Sequence, residues 1–351
     1  MSNGMGNISA HMPYQHGRGH ARSAADSAGR QRQPDACHYA ALDLGTNNCR
    51  LLIARPSASG FTVIDAFSRI VRLGEGLAAT GRLSDAAIDR TLAALAVCGE
   101  KLRRRNVTLA RSVATEACRR AANGADFIER AYRETGIALD IISAEEEAHL
   151  AVLGCHLLIE PGDGPALVFD IGGGSTELVL IDTSVRVPRV VDWHSIPWGV
   201  VSLTESVPMA GDAAGRATIY AKMRALIAES VAPFVERLPK NIAQPRLLGT
   251  SGTVTTLASV YLDLTRYDRS AVDGLVVPAE AMRRISADLA GKSVEERARL
   301  ACIGHERADL VVAGCAILET ILDLWPAERL GVADRGIREG ILRQLMRGGE
   351  A

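Results

Sequence analysis

The chain has almost no net charge, no long apolar run and no cysteine pair at metal-motif spacing. A formal net charge of -1 excludes a molecule that binds nucleic acid through its overall charge. Any anion site must be a local concentration of positive charge. No apolar run approaches the roughly 18–20 residues that span a bilayer, so no membrane partner is expected. The N-terminus has no apolar h-region, which argues against secretory export and for a cytoplasmic protein. Seven cysteines (Cys37, Cys49, Cys98, Cys118, Cys155, Cys302 and Cys315) give an odd count with no C-x-x-C spacing. Reduced thiols are expected, not a disulfide frame or a zinc site. The histidines also lack metal-ligand spacing and are read as structural.

What is present is a globular composition, 47% hydrophobic and 23% charged, in 351 residues, enough for two domains. Residues 1–36 are rich in Gly, Ser, Gln, His and Arg and are expected to form a disordered tail. From His38 the pattern is strand, glycine turn, strand: Tyr39–Asp43, then Arg50–Arg55, with further strands at Phe61–Ala66 and Arg69–Leu73. Ser84 opens a helix whose Ile88, Leu92, Leu95 and Leu102 share one face. After a helix starting near Ala144, the breaker Pro161-Gly-Asp-Gly-Pro165 precedes a restart. Ala166–Ile171, a triple-glycine turn and Glu177–Ile181 repeat the first hairpin. The repeat predicts a duplicated α/β fold. Its expected domains are residues 37–148 and 149–335, followed by a C-terminal helix over 336–351 that packs back on the first domain.

Three loops carry the chemistry. The first is Asp43-Leu44-Gly45-Thr46-Asn47-Asn48 and the second Asp170-Ile171-Gly172-Gly173-Gly174-Ser175-Thr176-Glu177. In each, an Asp ends a strand and glycine lets backbone N–H groups turn toward an anion, with Thr46, Asn47, Ser175 and Thr176 as side-chain donors. An Asp beside a phosphate needs a cation between them, which points to Mg²⁺. One such loop is also read as a plain hairpin turn; two in matching positions predict a clamp across an interdomain cleft. The third loop, Gly249-Thr250-Ser251-Gly252-Thr253, joins a strand to a helix and suits anion capture at the helix N-terminus. An N-cap turn is its structural alternative. Ser143 and Glu146 have capping-box spacing within Ser143-Ala-Glu-Glu-Glu147. Capping needs fewer acids than three, so one is a candidate general base. Arg72, Arg119 and Arg120 flank turns, as phosphate clamps or as plain surface arginines.

These residues resemble the exopolyphosphatase / guanosine pentaphosphate phosphohydrolase (Ppx/GppA) family. That family belongs with actin, heat-shock chaperone ATPases and sugar kinases. The resemblance runs from about Ala40 to Gly340. It is carried by Asp43–Asn47, Arg72-Leu-Gly-Glu-Gly-Leu77, Ala114-Thr115 with Arg119-Arg-Ala121, Ile142–Ala148, Asp170–Glu177, Gly249–Thr253 and Gly336-Ile-Arg-Glu-Gly340. It implies two duplicated ribonuclease H-like domains with an interdomain cleft. It also implies an exopolyphosphatase that releases orthophosphate by Mg²⁺-assisted water attack. Glu147 would activate water and Glu177 would be the second acid. Asp43, Asp170 and Glu177 would hold the metal. Gly45, Thr46, Asn47, Arg72, Arg119, Gly172–Thr176, Ser251, Gly252 and Thr253 would bind phosphate. The chain departs from the usual pattern at Thr46-Asn47-Asn48-Cys49 and at Ala144, and three consecutive glutamates leave Glu146 as a second candidate base. Ending at residue 351, it looks like the short two-domain form, and the family allows a homodimer.

Guanosine pentaphosphate presents the same terminal phosphoanhydride and is the alternative substrate. A non-catalytic nucleotide or alarmone binder and a kinase are readings from other classes. Four carboxylates, Asp43, Glu147, Asp170 and Glu177, gain a pure anion binder nothing.

Overall fold

The computed structural model describes residues 37–58, 60–185, 188–208, 212–240 and 245–348. The tail expected over residues 1–36 lies outside them. The first sheet contains β1 (Tyr39–Leu44), β2 (Asn48–Ser57), β3 (Gly60–Ile70), β4 (Leu109–Ala114) and β5 (Asp140–Ile141), in the order β3-β2-β1-β4-β5. Its first three strands are antiparallel neighbours, and β4 and β5 add in parallel. The second sheet contains β6 (Pro165–Ile171), β7 (Thr176–Asp182), β8 (Arg189–Ile196), β9 (Arg246–Thr250), β10 (Val276–Pro278) and β11 (Arg329–Ala333), in the order β10-β11-β9-β6-β7-β8. Strands β6, β7 and β8 repeat the antiparallel triplet; β9 and β11 repeat the parallel pair. Among the described residues, only β10, antiparallel to β11, has no counterpart. The fold is therefore α/β, with a ribonuclease H-like unit used twice.

The central strands read as apolar runs because both faces of each sheet are covered. β7, for example, buries every residue from Thr176 to Ile181. Ser84 caps the helix Asp85–Arg104, which lays Ile88, Leu92 and Leu95 on the first sheet. Helices Ala213–Val235, Gly252–Tyr261, Ala279–Gly291 and Val311–Leu324 build the larger core of the second. Two helices lie between the sheets, Ala144–Cys155 and Ile337–Gly348. Leu150 and Ala151 of one and Ile337, Ile341 and Leu342 of the other share a core with Ala41, Leu52 and Val113 of the first sheet. The C-terminal helix thus packs on the first sheet. The helices cross backbone to backbone: a Cβ on Gly154 would overlap the Gly336 carbonyl, and one on Gly340 would overlap that of Leu150.

Several elements differ from expectation. The two strands expected at Phe61–Ala66 and Arg69–Leu73 are one strand, β3, which pairs with β2 as far as Ile70. Arg72 lies beyond it, in a turn, with φ 47°. Strand β11 was not anticipated, because Leu330-Gly-Val-Ala333 is short and interrupted by glycine. It occupies the place that β5 has in the first repeat. All seven cysteines are free thiols.

Candidate active site

The two hairpins build matching turns. The Gly45 N–H donates to the Asn48 carbonyl at 2.9 Å, and the Gly172 N–H donates to that of Ser175 at 3.0 Å. Across each hairpin the Asp faces the residue seven positions later, so Asp43 pairs with Arg50 and Asp170 with Glu177. Directly opposed residues share one face of a sheet. Asp43 and Asp170 line one cavity of about 140 Å³ between the two sheets. The loops also touch. A Cβ on Gly173 would lie 3.0 Å from Thr46 Cβ and 3.1 Å from the Asn47 backbone nitrogen, and one on Gly174 would lie 2.6 Å from Thr46 Oγ1. The second loop is glycine because the first loop packs against its backbone. Gly45, Thr46 and Asn47 line the cavity with Gly172, Gly173, Gly174 and Ser175.

The third loop closes another wall. Ser251 holds φ 90°, a conformation side chains rarely adopt, and its hydroxyl donates to the Ile171 carbonyl at 2.7 Å. Behind it the helix Gly252–Tyr261 starts at the cavity, which Ser251, Gly252 and Thr253 line. An anion there would meet the positive end of the helix dipole.

Four carboxylates crowd this centre. Burial is the main cause that pushes Glu147 well above the usual carboxylate range; Glu177, Asp170 and Asp43 add to it, and Arg119 opposes it. Burial, then Asp170, raise Glu177 to about 7. Burial, then Asp43, raise Asp170 to about 6. Asp43 is raised by burial, against the pull of Arg50 and Arg338. Glu147 is on the cavity wall; Glu177 is not. Glu177, only 2% exposed, sits behind the wall and accepts hydrogen bonds from Ser175 at 2.8 Å and Ser195 at 2.9 Å.

The helix Ala144–Cys155 separates the three glutamates. Ser143 caps it by accepting from the Glu146 N–H at 3.1 Å. The Glu146 side chain turns away to Arg111, 2.5 Å distant, and is not on the cavity wall. Glu147 is directed inward and is held by Arg119, whose two terminal nitrogens each lie 3.2 Å from Glu147 Oε2. Arg119 is further committed to Glu116 at 2.7 Å and to the Ile142 carbonyl at 2.7 Å. It grips a carboxylate here and is not on the cavity wall. Arg72 is also off the wall: it spans the repeats, 3.4 Å from Asp309, with a bond to the Glu306 carbonyl at 3.3 Å. Thr176 is fully buried and donates to the Trp198 carbonyl at 2.7 Å, a packing role.

The cavity also contains residues to which the sequence pattern gave no site role: Arg50, Glu116, Arg307, Asp334, Arg335 and Arg338. Arg50 was accessible in principle, since it occupies the position of Glu177 in the first repeat. Asp334 and Arg335 follow the unanticipated β11. Among the described residues, no three His, Cys, Asp or Glu side chains form a ready cage for a metal ion. Carboxylates that raise one another nonetheless favour a cation. Asp43 and Asp170, both on the cavity wall, are the residues that could hold a divalent cation such as Mg²⁺ through one or two carboxylates.

The profile of the Ppx/GppA phosphatase family matches residues 52–348. The chain belongs to that family. It is 32% identical over 319 residues to exopolyphosphatase 2 of Mycobacterium tuberculosis, covering 87% of this chain and 98% of that one. It is 29% identical to a guanosine-5'-triphosphate,3'-diphosphate pyrophosphatase of Aeromonas salmonicida, covering 88% of this chain and 59% of that one. The crystal structure of an Aquifex aeolicus Ppx/GppA family member superposes with a TM-score of 0.73 at 28% identity, over 90% of this chain and 99% of that one.

Proposed function

We propose that this Ppx/GppA protein is a phosphoanhydride hydrolase that removes the terminal phosphate of inorganic polyphosphate as orthophosphate. The observation that carries this reading is Glu147. It is a buried carboxylate on the cavity wall, held by Arg119 and facing the glycine loops. With its proton affinity raised above the usual carboxylate range, it suits removal of a proton from water near neutral pH.

The terminal phosphate sits between the two loops, on the backbone N–H groups of Thr46, Asn47, Gly173 and Gly174, with the Thr46 hydroxyl beside them; the Gly45 and Gly172 N–H groups are spent closing the turns. Arg50 and Arg307 approach from opposite repeats and offset the charge of the chain. Glu147 orients a water and accepts its proton as the new P–O bond forms in line with the leaving oxygen. That bond to the bridging oxygen breaks, and the shortened chain leaves with the charge. Mg²⁺, held by Asp43 and Asp170, would neutralise charge on the phosphoryl oxygens when bound. Glu177, behind Asp170, positions it through charge and through Ser175.

Guanosine pentaphosphate is the second reading, because its 5′ end presents the same bond and one relative carries that activity in its name. Free thiols throughout the chain fit a cytoplasmic setting. Orthophosphate release from each substrate by purified protein, with and without Mg²⁺, tests and ranks the two. Release from polyphosphate that stops when Mg²⁺ is chelated is expected; no release from either substrate would sink the hydrolase reading.

A further inference from the structure

Beyond the cavity, the C-terminal helix carries cations that the chemistry above does not use. Arg335, on the cavity wall, stands just before the helix Ile337–Gly348, and within that helix Glu339, Arg343 and Arg347 follow at four-residue steps, which places these three on one stripe. The acids near the head of the stripe are already engaged. Asp273 accepts from Arg335 at 2.7 Å, and Glu339 accepts from Arg269 at 2.8 Å and from the Gly336 N–H at 2.9 Å. Asp334 pairs with Arg269 at 3.0 Å. Arg343 and Arg347 have no carboxylate partner among the described residues. Arg343 Nε is buried and has no hydrogen-bond partner at all. His156, the C-cap of the helix Ala144–Cys155, lies near enough for the charges of both arginines to act on it. Its Nδ1 is taken by the Val152 and Leu153 carbonyls, at 3.2 and 3.1 Å, which leaves Nε2 for another partner.

A buried guanidinium donor without an acceptor is costly, and unpaired cations repel one another. Both costs register here. Burial and the neighbouring Arg335 and Arg347 lower the proton affinity of Arg343, with Glu339 opposing. Burial, then Arg343 and Arg347, lower that of His156 against its two backbone bonds. An oxyanion would relieve both. We propose that Arg343, Arg347 and His156 form a second phosphate-binding site, which holds a distal phosphate of a long polyphosphate whose end lies in the cavity.

This assignment rests on the polyphosphate reading above and gives it a substrate-length dependence. Six residues of helix separate Ile337, on the cavity wall, from Arg343, about 9 Å along the axis, and Arg347 lies about 6 Å further on. A triphosphate seated at the glycine loops ends before this site, and a long chain continues past the start of the C-terminal helix to reach it.

The test compares long-chain polyphosphate with tripolyphosphate in the full chain carrying R343A and R347A together. Loss of two charge-assisted contacts is expected to raise KM for long chains about tenfold or more. The kcat and KM for tripolyphosphate should stay near wild type. Arg343→Lys with Arg347→Lys should recover most of the long-chain affinity. If the double alanine variant folds poorly, R347A alone, at an exposed position, is expected to show the same selectivity with a smaller shift. An unchanged KM for long chains would overturn the proposal. So would a change confined to inhibition by added orthophosphate, which would make free phosphate the occupant. Failure of the wild-type protein to hydrolyse either substrate would instead remove the polyphosphate reading itself.

Discussion

The two glycine hairpins share a fold but not a chemistry. Both close with the same glycine-to-carbonyl bond, and both oppose an Asp to the residue seven positions on. In the first repeat that residue is Arg50; in the second it is Glu177. The first loop keeps side chains, Thr46 and Asn47, where the second has Gly173 and Gly174. Duplication supplied two equivalent turns. Divergence then made one a donor face with a cation and the other a bare backbone face with an acid. Where the two turns meet, only one can carry side chains, because the gap between them admits no extra Cβ.

The largest effect is expected at the acid that neither hairpin contains. E147A should lower kcat by at least about a hundredfold while the fold is retained, as measured by orthophosphate release and circular dichroism. Near-normal activity would move the base to Glu146, which the structure pairs with Arg111 outside the cavity.

The asymmetry of the loops can be broken next. G173A places a Cβ 3.0 Å from Thr46 Cβ and 3.1 Å from the Asn47 nitrogen, so the loops must part. We expect kcat/KM to fall about tenfold or more, since misplacement of well under an ångström matters at a reacting centre. Equal activity would show that the two loops need not touch during turnover.

The acid side of the comparison predicts a pH dependence of stability. Asp170 is raised from 3.8 to about 6 and Glu177 from 4.5 to about 7 in the folded protein. The native state therefore binds more protons than the unfolded chain. The stability these groups contribute is complete below about pH 4 and is lost as pH rises toward 7. Metal-free protein should show a falling Tm across that interval beyond the trend of a D170N/E177Q variant. Added Mg²⁺ should raise Tm at pH 8 more than at pH 5. Parallel curves for wild type and variant would remove the cluster as the cause.

The smallest effect is expected at Arg72. Its bridge to Asp309 joins two side chains that are each 37% exposed. R72A should change stability by less than about 1 kcal/mol and turnover by less than about threefold. A loss as large as that of E147A would restore Arg72 as a direct phosphate ligand.

Much of this was legible in the sequence, for physical reasons. The hairpins announce themselves because an apolar run, an Asp and a glycine turn recur with the same spacing. The capping residue Ser143 fixes the start of the helix that aims Glu147 inward. Arg119 and Arg72 were placed near the right elements, but a sequence does not show that an arginine is already occupied by Glu116, Glu147 or Asp309. Strand β11 escaped notice because a short run with a glycine lacks both a helical and a strand period. With it went Asp334 and Arg335, which stand at its end. Arg50 was hidden by a simpler cause: it differs in kind from its counterpart Glu177, so a search for repeated residues passes over it.

The most direct test is hydrolysis of polyphosphate in oxygen-18 water, with the products separated and the label located. Water activated by Glu147 and delivered to the terminal phosphorus puts one labelled oxygen in each orthophosphate released. It leaves the new chain end unlabelled, and E147Q should abolish the signal. Label in the shortened chain instead, or phosphate passed to ADP without labelled orthophosphate, would contradict terminal hydrolysis as the work of this cavity.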